Sequence, residues 1–302
     1  MIKLIDKRFR FLLVSGLVLL AGIVSLAVFG LNAGIDFSSG SLLTLSFEQP
    51  VTQNELKAEL SSLGRGEAIV QTTGEGDFLI RTTQMTNDEK GDLKVALAET
   101  FGPLEELGFT NVDPIIAHQT ARTAAIAVAV AAFGILLYIT WAFRRMPKPF
   151  HYGSCGIIAL VHDALVAIGV FSIFGAVFGW EIDLMFIIGI LAVIGYSINN
   201  TVVVFDRIRE NLARDPRADF SRIVNDSVSQ SLVRSFNTSL TTVVVLLALL
   251  LFIGAQIQTF TSVMLIGIVA GTYSSLFIAP SLLVIWERNE WGRLLLRGSR
   301  GR

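Results

Sequence analysis

Six long apolar stretches alternate with polar segments along the chain, and each is close to the roughly 20 residues that cross a bilayer. Their length and near-absence of charge predict membrane-spanning helices. The last stretch is long enough for a tilted span with an interfacial end. The predicted spans cover residues 9–31, 121–143, 152–178, 184–205, 234–253 and 260–286.

The only long polar segment, residues 35–118, lies between the first two spans and alternates between strand and helix patterns. Strands are predicted at residues 42–47, 67–72, 77–83 and 109–118, with a turn at 74–76. One helix begins after Thr52, with Glu55 completing a capping box, and a second begins at Thr86 or Asn87 and stops at Gly102. The order βαββαβ predicts a ferredoxin-like α+β domain carried by a polytopic α-helical membrane protein of six helices.

Composition and charge support this fold class and predict an orientation. The chain is 52% hydrophobic and 16% charged, which is typical of an integral membrane protein. Seventeen of the 24 basic residues lie in the N-terminus, the loops after spans two and four, and the tail. Both termini are therefore expected to be cytoplasmic, and residues 35–118 to lie on the opposite side of the membrane. The acidity of residues 35–118 does not oppose this, because acidic residues contribute little to orientation.

The predicted organisation has four parts: residues 1–34 with span one, the α+β domain 35–118, spans two to six within 119–286, and a basic tail 287–302. The first span resembles a signal peptide in its basic start, but its apolar core is too long, so it is predicted to remain as a span. The single cysteine, Cys155, excludes an internal disulfide and a site of several thiols.

The most informative stretch is the end of span four, where hydrogen-bonding side chains occur in an apolar setting before the chain becomes charged. Such groups are costly in hydrocarbon, so they either face a wet pathway or hold helices together, and the sequence leaves both alternatives open. The charged continuation begins a segment, residues 206–230, that is predicted to be an amphipathic interfacial helix. The polar residues of the span are Ser197, Asn199, Asn200 and Thr201, and the charged motif is Asp206, Arg207, Arg209 and Glu210.

Span five begins with Arg234, Asn237 and Thr238. Asn200 lies about 9 Å from the end of span four by helical rise, so Arg234 could lie at a similar depth. Span three contains His162 and Asp163, which form either part of a proton path or a structural hydrogen-bonded pair. Close helix packing is predicted at Gly195, Gly267 and Gly271.

Enzyme motifs are weak or missing. Residues 195–199 resemble a nucleophile elbow, but Asn199 replaces the closing glycine, and the sequence places no base beside Ser197. The chain has no phosphate-binding loop. We therefore expect no catalytic activity, no cofactor, no bound metal and no nucleic-acid partner.

Several motifs together resemble the SecF family of bacterial protein translocase subunits, over nearly the whole chain. They are GIDFSSG at residues 34–40, HDALVAIG at 162–169, GYSINNTVVVFDRIREN at 195–211 and RSFNTSLTT at 234–242. The resemblance implies half of a pump-like unit of the resistance-nodulation-division superfamily, whose spans pair with those of SecD. It places the chain in the bacterial inner membrane, with residues 35–118 in the periplasm. It also implies binding to the SecYEG channel and YajC, and use of the proton gradient, or sodium in some bacteria, to pull unfolded preproteins outward.

Two departures from the family pattern matter. The family usually has aspartate where this chain has Asn200, and the resemblance implies that this carboxylate acts with Arg234 and an aspartate of SecD. Asparagine cannot bind and release a proton. The junction formed by Gly34, Asp36 and Gly40 contains Ser38 and Ser39, where Thr-Gly is usual, so it is expected to be a stiffer hinge. A half-transporter of the same superfamily that moves small molecules or lipids is the alternative function, and a structural membrane scaffold is a third.

Overall fold

A computed structural model describes residues 3–73, 76–252 and 257–290 of the chain. The chain divides into two compact units: a membrane unit of residues 1–32 and 127–302, and an α+β unit of residues 33–126. Parts of three predictions lie outside the described residues: residues 74 and 75 of the turn, the end of the fifth span at 253, and residues 291–302 of the tail.

The described elements follow one another in the predicted alternation. They are α1 (Arg8–Phe29), α2 (Ile35–Ser38), β1 (Gly40–Phe47), α3 (Gln53–Ser62), β2 (Ile69–Thr72), β3 (Phe78–Thr82), α4 (Asn87–Phe101), β4 (Leu104–Val112), α5 (Pro114–Ala142), α6 (Pro149–Phe178), α7 (Leu184–Arg214), α8 (Phe220–Phe252), α9 (Gln258–Tyr273) and α10 (Ala279–Glu287).

Six helices of the described chain are long and apolar enough to cross a membrane, which confirms the predicted number. The last of them, Gln258–Glu287, joins α9 and α10 through a π-helical turn, Ser274–Ile278. This last span is the most buried of the six and packs against α6, α7 and α8. It therefore forms the centre of the membrane unit.

The segment predicted as an interfacial helix, residues 206–230, is not a separate element. α7 continues to Arg214, and α8 begins at Phe220. Pro216 lies in the turn between them, where a proline does not continue a helix. Of the apolar residues that suggested an interfacial face, Ile208, Ile223 and Val224 are instead buried in the core of the membrane unit, and Leu212 and Phe220 pack against that core.

Two glycines that the sequence analysis did not identify allow α1 and α6 to pack closely. A Cβ atom placed on Gly22 would lie 3.0 Å from the Cα atom of Gly169, and one placed on Gly169 would lie 2.7 Å from the Cα atom of Gly22. Beside this crossing, the hydroxyl groups of Ser25 and Ser172 lie 2.9 Å apart. Small residues and a hydroxyl pair are the features that hold helices together within a bilayer.

The α+β unit has the predicted βαββαβ order and an antiparallel sheet with strand order β2-β3-β1-β4. One face of the sheet is covered by α3 and α4, whose leucines fill a core with the inward residues of the strands: Leu56, Leu60, Leu93, Leu97, Leu43, Leu45 and Ile80. Alternate burial along β3 follows from the period of two that a half-buried strand requires.

The predicted capping signals are present at the starts of α3 and α4. Thr52 and Glu55 form the predicted capping box of α3. Of the two alternatives for α4, Thr86 is the cap, and it forms a second box with Glu89. Hydrogen bonds from the capping threonine and its backbone lower the pKa of each of these glutamates.

The last predicted strand, residues 109–118, is displaced in the structure. β4 starts earlier, at Leu104, and ends at Val112, after which Pro114 opens α5. Proline is favourable in the first turn of a helix because the N–H that it lacks would have no partner there. The Asp113 carboxylate accepts a hydrogen bond from the Ile115 N–H at 2.8 Å, so residues 113 and 114 begin a helix rather than extend the strand.

Candidate functional site

The polar residues of α7 divide between two faces of the helix. Ser197, Asn200 and Thr201 are buried, as their spacing of three and four residues allows. Asn199 and Gly195 are exposed on another side. These residues are adjacent in the sequence, but the helix places the three buried ones inside the membrane unit and the two exposed ones on its surface.

The first buried group, which we call the acid cluster, consists of His162, Asp163, Ser197 and Ser274. One carboxylate oxygen of Asp163, Oδ2, accepts hydrogen bonds from Ser197 Oγ at 2.6 Å and Ser274 Oγ at 2.8 Å. The other, Oδ1, lies 2.9 Å from His162 Nδ1. Asp163 is only 1% exposed, so these contacts are made away from solvent.

The second buried group, the amide cluster, consists of Tyr196, Asn200, Ser239 and Thr272. The Asn200 amide Nδ2 donates to Ser239 Oγ at 3.4 Å, and Thr272 Oγ1 donates to the same oxygen at 2.6 Å. The Tyr196 hydroxyl reaches Ser239 Oγ at 3.5 Å. Asn200 therefore joins α7 to α8, which is a role that a neutral amide performs well, and Ser239 extends the link to Thr272 of the last span.

The π-helical turn of the last span lies between the two clusters. Ser274 and Ser275 both belong to it, and Ser275 Oγ contacts Thr201 Oγ1 at 2.8 Å and donates to the Ser197 carbonyl at 3.2 Å. Single π-helical turns inside α-helices are frequent at functional sites. Sequence analysis missed these serines, although the run Thr272, Ser274, Ser275 inside an apolar span is a visible signal.

Arg234 does not join Asn200. The contact of Asn200 on α8 is Ser239, five residues further along, so Arg234 is displaced from that level by about 7.5 Å of helical rise. Arg234 instead lines a cleft with Val203, Asp206 and other residues near the end of α7. The expectation of similar depth is thus wrong by about one helical turn.

Arg234 is exposed, as are Asn237 and Thr238. Within residues 3–73, 76–252 and 257–290, Arg234 makes no side-chain hydrogen bond or ion pair, and its backbone carbonyl accepts from the Thr238 hydroxyl at 2.9 Å. Asn199 of α7 is also exposed and lies one helical turn before Val203, which lines the cleft with Arg234. We call the exposed polar side chains Asn199, Arg234, Asn237 and Thr238 of these membrane-spanning helices the outward polar face.

The charged motif at the end of α7 forms pairs within its own helix. Arg207 contacts Glu210 at 2.6 Å, and Arg214 contacts the same carboxylate at 2.5 Å, while Arg209 pairs with Asp206. These side chains are largely exposed, and exposed pairs at such spacings contribute only about 0.3–0.5 kcal/mol each. The motif therefore stabilises the extension of α7 slightly and leaves its charges accessible.

Two of the three predicted packing glycines are at close contacts. A Cβ atom on Gly267 would lie 2.1 Å from Val193 Cγ2, and one on Gly271 would lie 2.9 Å from Ser197 Oγ. Around Gly195 no atom of the described chain lies within 4 Å of such a Cβ. Gly195 therefore packs against nothing within this part of the chain and belongs beside Asn199 on the exposed side.

The junction after α1 contains the tightest backbone contact of the α+β unit. Gly34 is the N-cap residue of α2, which carries Asp36, and the chain then reverses at Ser39 and Gly40. Gly40 has φ of +119°, and a Cβ there would lie 2.6 Å from the Thr82 carbonyl oxygen. Ser39 has φ of 62° and ψ of 171°, a region that glycine occupies almost alone.

Two models of known protein families match the regions of the chain that contain these features. The model for the SecD/SecF GG motif covers residues 24–51, which include this junction, and the model for the protein export membrane protein SecD/SecF, C-terminal, covers residues 92–289. The chain belongs to the SecD/SecF family. Protein translocase subunit SecF of Thermobaculum terrenum is 43% identical over 98% of both chains, and that of Anaerolinea thermophila is 40% identical over 99% of both.

The chain is also similar to SecDF proteins, which are longer, and it matches only a part of each of them. The crystal structure of SecDF, a translocon-associated membrane protein from Thermus thermophilus, superposes with a TM-score of 0.84 at 31% identity over 94% of this chain. The chain spans only 38% of that SecDF, and likewise 38% of the SecDF of Bacillus subtilis, with which it is 35% identical. A chain of this size thus corresponds to one part of SecDF and to nearly all of SecF.

Proposed function

We propose that this chain acts with SecD as an accessory subunit of the Sec preprotein translocase. It uses the proton or sodium gradient across the bacterial inner membrane to promote late steps of export through SecYEG, with YajC as a further partner. The family membership supports a role in protein export, and the SecDF relatives carry a matching segment within one longer chain. A separate SecD chain is then the expected neighbour of this one.

The outward polar face is the observation that carries this proposal. A charged side chain at the centre of a span costs about 2.5–3.5 kcal/mol on insertion scales, and charges inside membrane spans generally have a protein partner. Arg234 lies at the start of the predicted fifth span, so we expect a protein partner for it rather than lipid. Asn199, Asn237 and Thr238 on the same surface can each hydrogen-bond to a neighbouring helix. A membrane-spanning partner that supplies a carboxylate would satisfy this surface, whereas lipid tails would not.

We also propose that both termini and the α7–α8 turn are cytoplasmic, with the α+β unit in the periplasm. α7 ends at Arg214, the turn contains Arg217, the first turn of α8 contains Arg222, and the loop after α5 contains Arg144 and Arg145. Basic residues concentrate on the cytoplasmic side of membrane proteins. In this orientation Arg234 enters the membrane from the cytoplasmic side.

Site-directed crosslinking tests whether SecD covers the outward polar face. Asn199→Cys and Asn237→Cys place thiols on this face, and Val130→Cys places one on α5, where the side chain is 64% exposed and its surroundings are apolar. The native Cys155 is buried and does not compete. In membranes containing both chains, we expect crosslinks to SecD at positions 199 and 237 and none at 130.

Equal crosslinking at all three positions, or none at 199 and 237 despite co-purification of the two chains, would contradict the proposed interface. If neither SecD nor SecYEG co-purifies with the chain, the translocase assignment itself fails.

A further inference from the structure

We infer that Asp163 is the residue of this chain that binds and releases the coupling proton. This inference rests on the proposed function of the chain as an ion-driven subunit. It assigns the titrating group to α6, in the acid cluster, rather than to position 200 of α7. Asn200 has no proton to exchange, and its amide is engaged in a hydrogen bond to Ser239 of α8.

The surroundings of Asp163 isolate it from other charges. The elements that pack on α6 are α1, α5, α7, α9, the π-helical turn and α10. In the described part of the chain, His162 is the only ionisable side chain in hydrogen-bonding distance of Asp163. Several other ionisable groups on these elements have partners elsewhere: Arg8 with Glu290, Glu287 with Lys148, Tyr273 with the Phe11 carbonyl, Tyr196 with Ser239, Asp206 with Arg209, and both Arg207 and Arg214 with Glu210.

A carboxylate inside a membrane protein with a single imidazole neighbour is costly to keep ionised, which is why such residues generally serve proton or ion pathways. Lysine or arginine beside Asp163 would fix it in the charged form. His162 is not a permanently charged partner of this kind, because a neutral imidazole carries one nitrogen that donates and one that accepts. The pair can therefore change its protonation state as the accessible side of the membrane changes.

The hydrogen bonds of Ser274 suit both protonation states of Asp163. Its hydroxyl oxygen lies 2.8 Å from Asp163 Oδ2 and 3.2 Å from the carbonyl oxygen of Gly271. A hydroxyl has one proton to donate, so it serves one of these acceptors at a time. When Asp163 is ionised, Ser274 donates to Oδ2. When Oδ2 carries a proton, that proton is donated to Ser274 Oγ, and Ser274 turns its own proton to the Gly271 carbonyl.

No polar atom in this exchange is left without a partner, so the proton can bind without a large desolvation penalty. The distances of 2.6 and 2.8 Å to the two serines are hydrogen-bond lengths between oxygens and leave no space for a cation between them. The geometry therefore favours a proton over sodium as the ion bound here.

The lack of a side chain at Gly271 leaves the space in which Ser197 and Asp163 form their hydrogen bond. A side chain at position 271 would place its Cβ 2.9 Å from Ser197 Oγ and 3.4 Å from Asp163 Oδ2. The π-helical turn then places Ser274 towards Asp163, and Ser275 towards the Ser197 carbonyl and Thr201. A change at Asp163 is thus transmitted to the last span and to α7, which also hold the amide cluster.

Infrared difference spectroscopy on the complex with SecD tests the assignment directly. The reconstituted complex is taken from alkaline to acidic pH, and the carboxylic acid C=O band that appears on protonation is compared among variants. We expect one component of this band to be lost in Asp163→Asn and retained in Asp215→Asn, which removes an exposed carboxylate from the α7–α8 turn. In Ser274→Ala the component should remain but shift to higher frequency, because one hydrogen bond to the acid is gone.

Export into inverted membrane vesicles gives the second readout. Asp163→Asn should assemble with SecD and lose the stimulation of export by the proton gradient, while Asp215→Asn should keep it. An unchanged acid band in Asp163→Asn, gradient stimulation that survives in this variant, or a band that follows sodium at constant pH would each overturn the inference. A wild-type complex that shows no gradient stimulation would instead refute the proposed function.

Discussion

Replacing Gly40 by alanine should destabilise the α+β unit more than any other glycine-to-alanine change in that unit. Two independent costs apply. The residue has φ of +119°, where an L side chain costs roughly 1–2 kcal/mol. The added Cβ would also lie 2.6 Å from the Thr82 carbonyl oxygen, a backbone atom that cannot move without disturbing the pairing of Ser41 with Thr82.

The size of the second cost follows from the strand pairing. Losing one or two hydrogen bonds between β1 and β3 costs about 1 kcal/mol each. The sum for Gly40→Ala is therefore about 2–4 kcal/mol. Two matched variants separate the backbone cost from the cost of the contact with Thr82. At Gly64, φ is +78° and no atom lies near the added Cβ, so Gly64→Ala should lose only the backbone contribution, about 1–2 kcal/mol. Gly91→Ala, in open space within α4, should stabilise by about 0.5–1 kcal/mol.

Hydrogen–deuterium exchange of the full chain measures these differences locally. A loss of about 1.4 kcal/mol increases the exchange of globally protected amides tenfold. The expected order of protection in β1 and β3 is Gly91→Ala, wild type, Gly64→Ala and Gly40→Ala, from highest to lowest. Equal protection in Gly40→Ala and Gly64→Ala would refute the argument that the contact with Thr82 determines the glycine.

Two further predictions concern titrating groups. Hydrogen bonds from Lys90 and, to a smaller extent, Lys94 hold the pKa of Glu106 below its ordinary value of 4.5, so the stabilisation of β4 that they provide is present above pH 4.5 and is lost as the pH falls through the lower pKa of the folded state. In Glu106→Gln, hydrogen-exchange protection of β4, corrected for intrinsic exchange rates, should therefore depend less on acidic pH than in the wild type. Parallel curves for the variant and the wild type would contradict this. Asn200→Asp adds a carboxylate beside Ser239 and should alter the pH or sodium dependence of export more than it alters co-purification with SecD. Superimposable export curves for this variant and the wild type would show that position 200 is only a structural hydrogen-bonding site.

Features that depend on local patterns were predictable from the sequence. The six spans follow from the length of apolar stretches, and the capping boxes at Thr52 and Thr86 follow from short motifs. The βαββαβ order follows from alternating periodicities, although β4 was displaced because Asp113 and Pro114 begin a helix that the strand pattern did not exclude.

Features set by packing between distant segments were not predictable in the same way. Residues 206–230 have an amphipathic pattern that fits an interfacial helix as well as two span extensions, and only the buried contacts of Ile208 and Ile223 distinguish them. The π-helical turn has no local signature, and it determines which serines reach Asp163. The level of Arg234 relative to Asn200 depends on the stagger of α8 against α7, which counting residues from the span ends cannot provide.

The measurement that tests the proposed function most directly is gradient-driven export with Arg234 altered. Arg234→Leu removes the charge of the outward polar face, and Arg217→Leu removes an exposed charge from the α7–α8 turn as a control. Export of a preprotein into inverted vesicles is compared with and without a proton gradient, at matched levels of this chain and SecD. We predict that Arg217→Leu keeps the stimulation by the gradient and that Arg234→Leu loses it while remaining inserted and bound to SecD. Full stimulation in Arg234→Leu would contradict an ion-coupled role for this face.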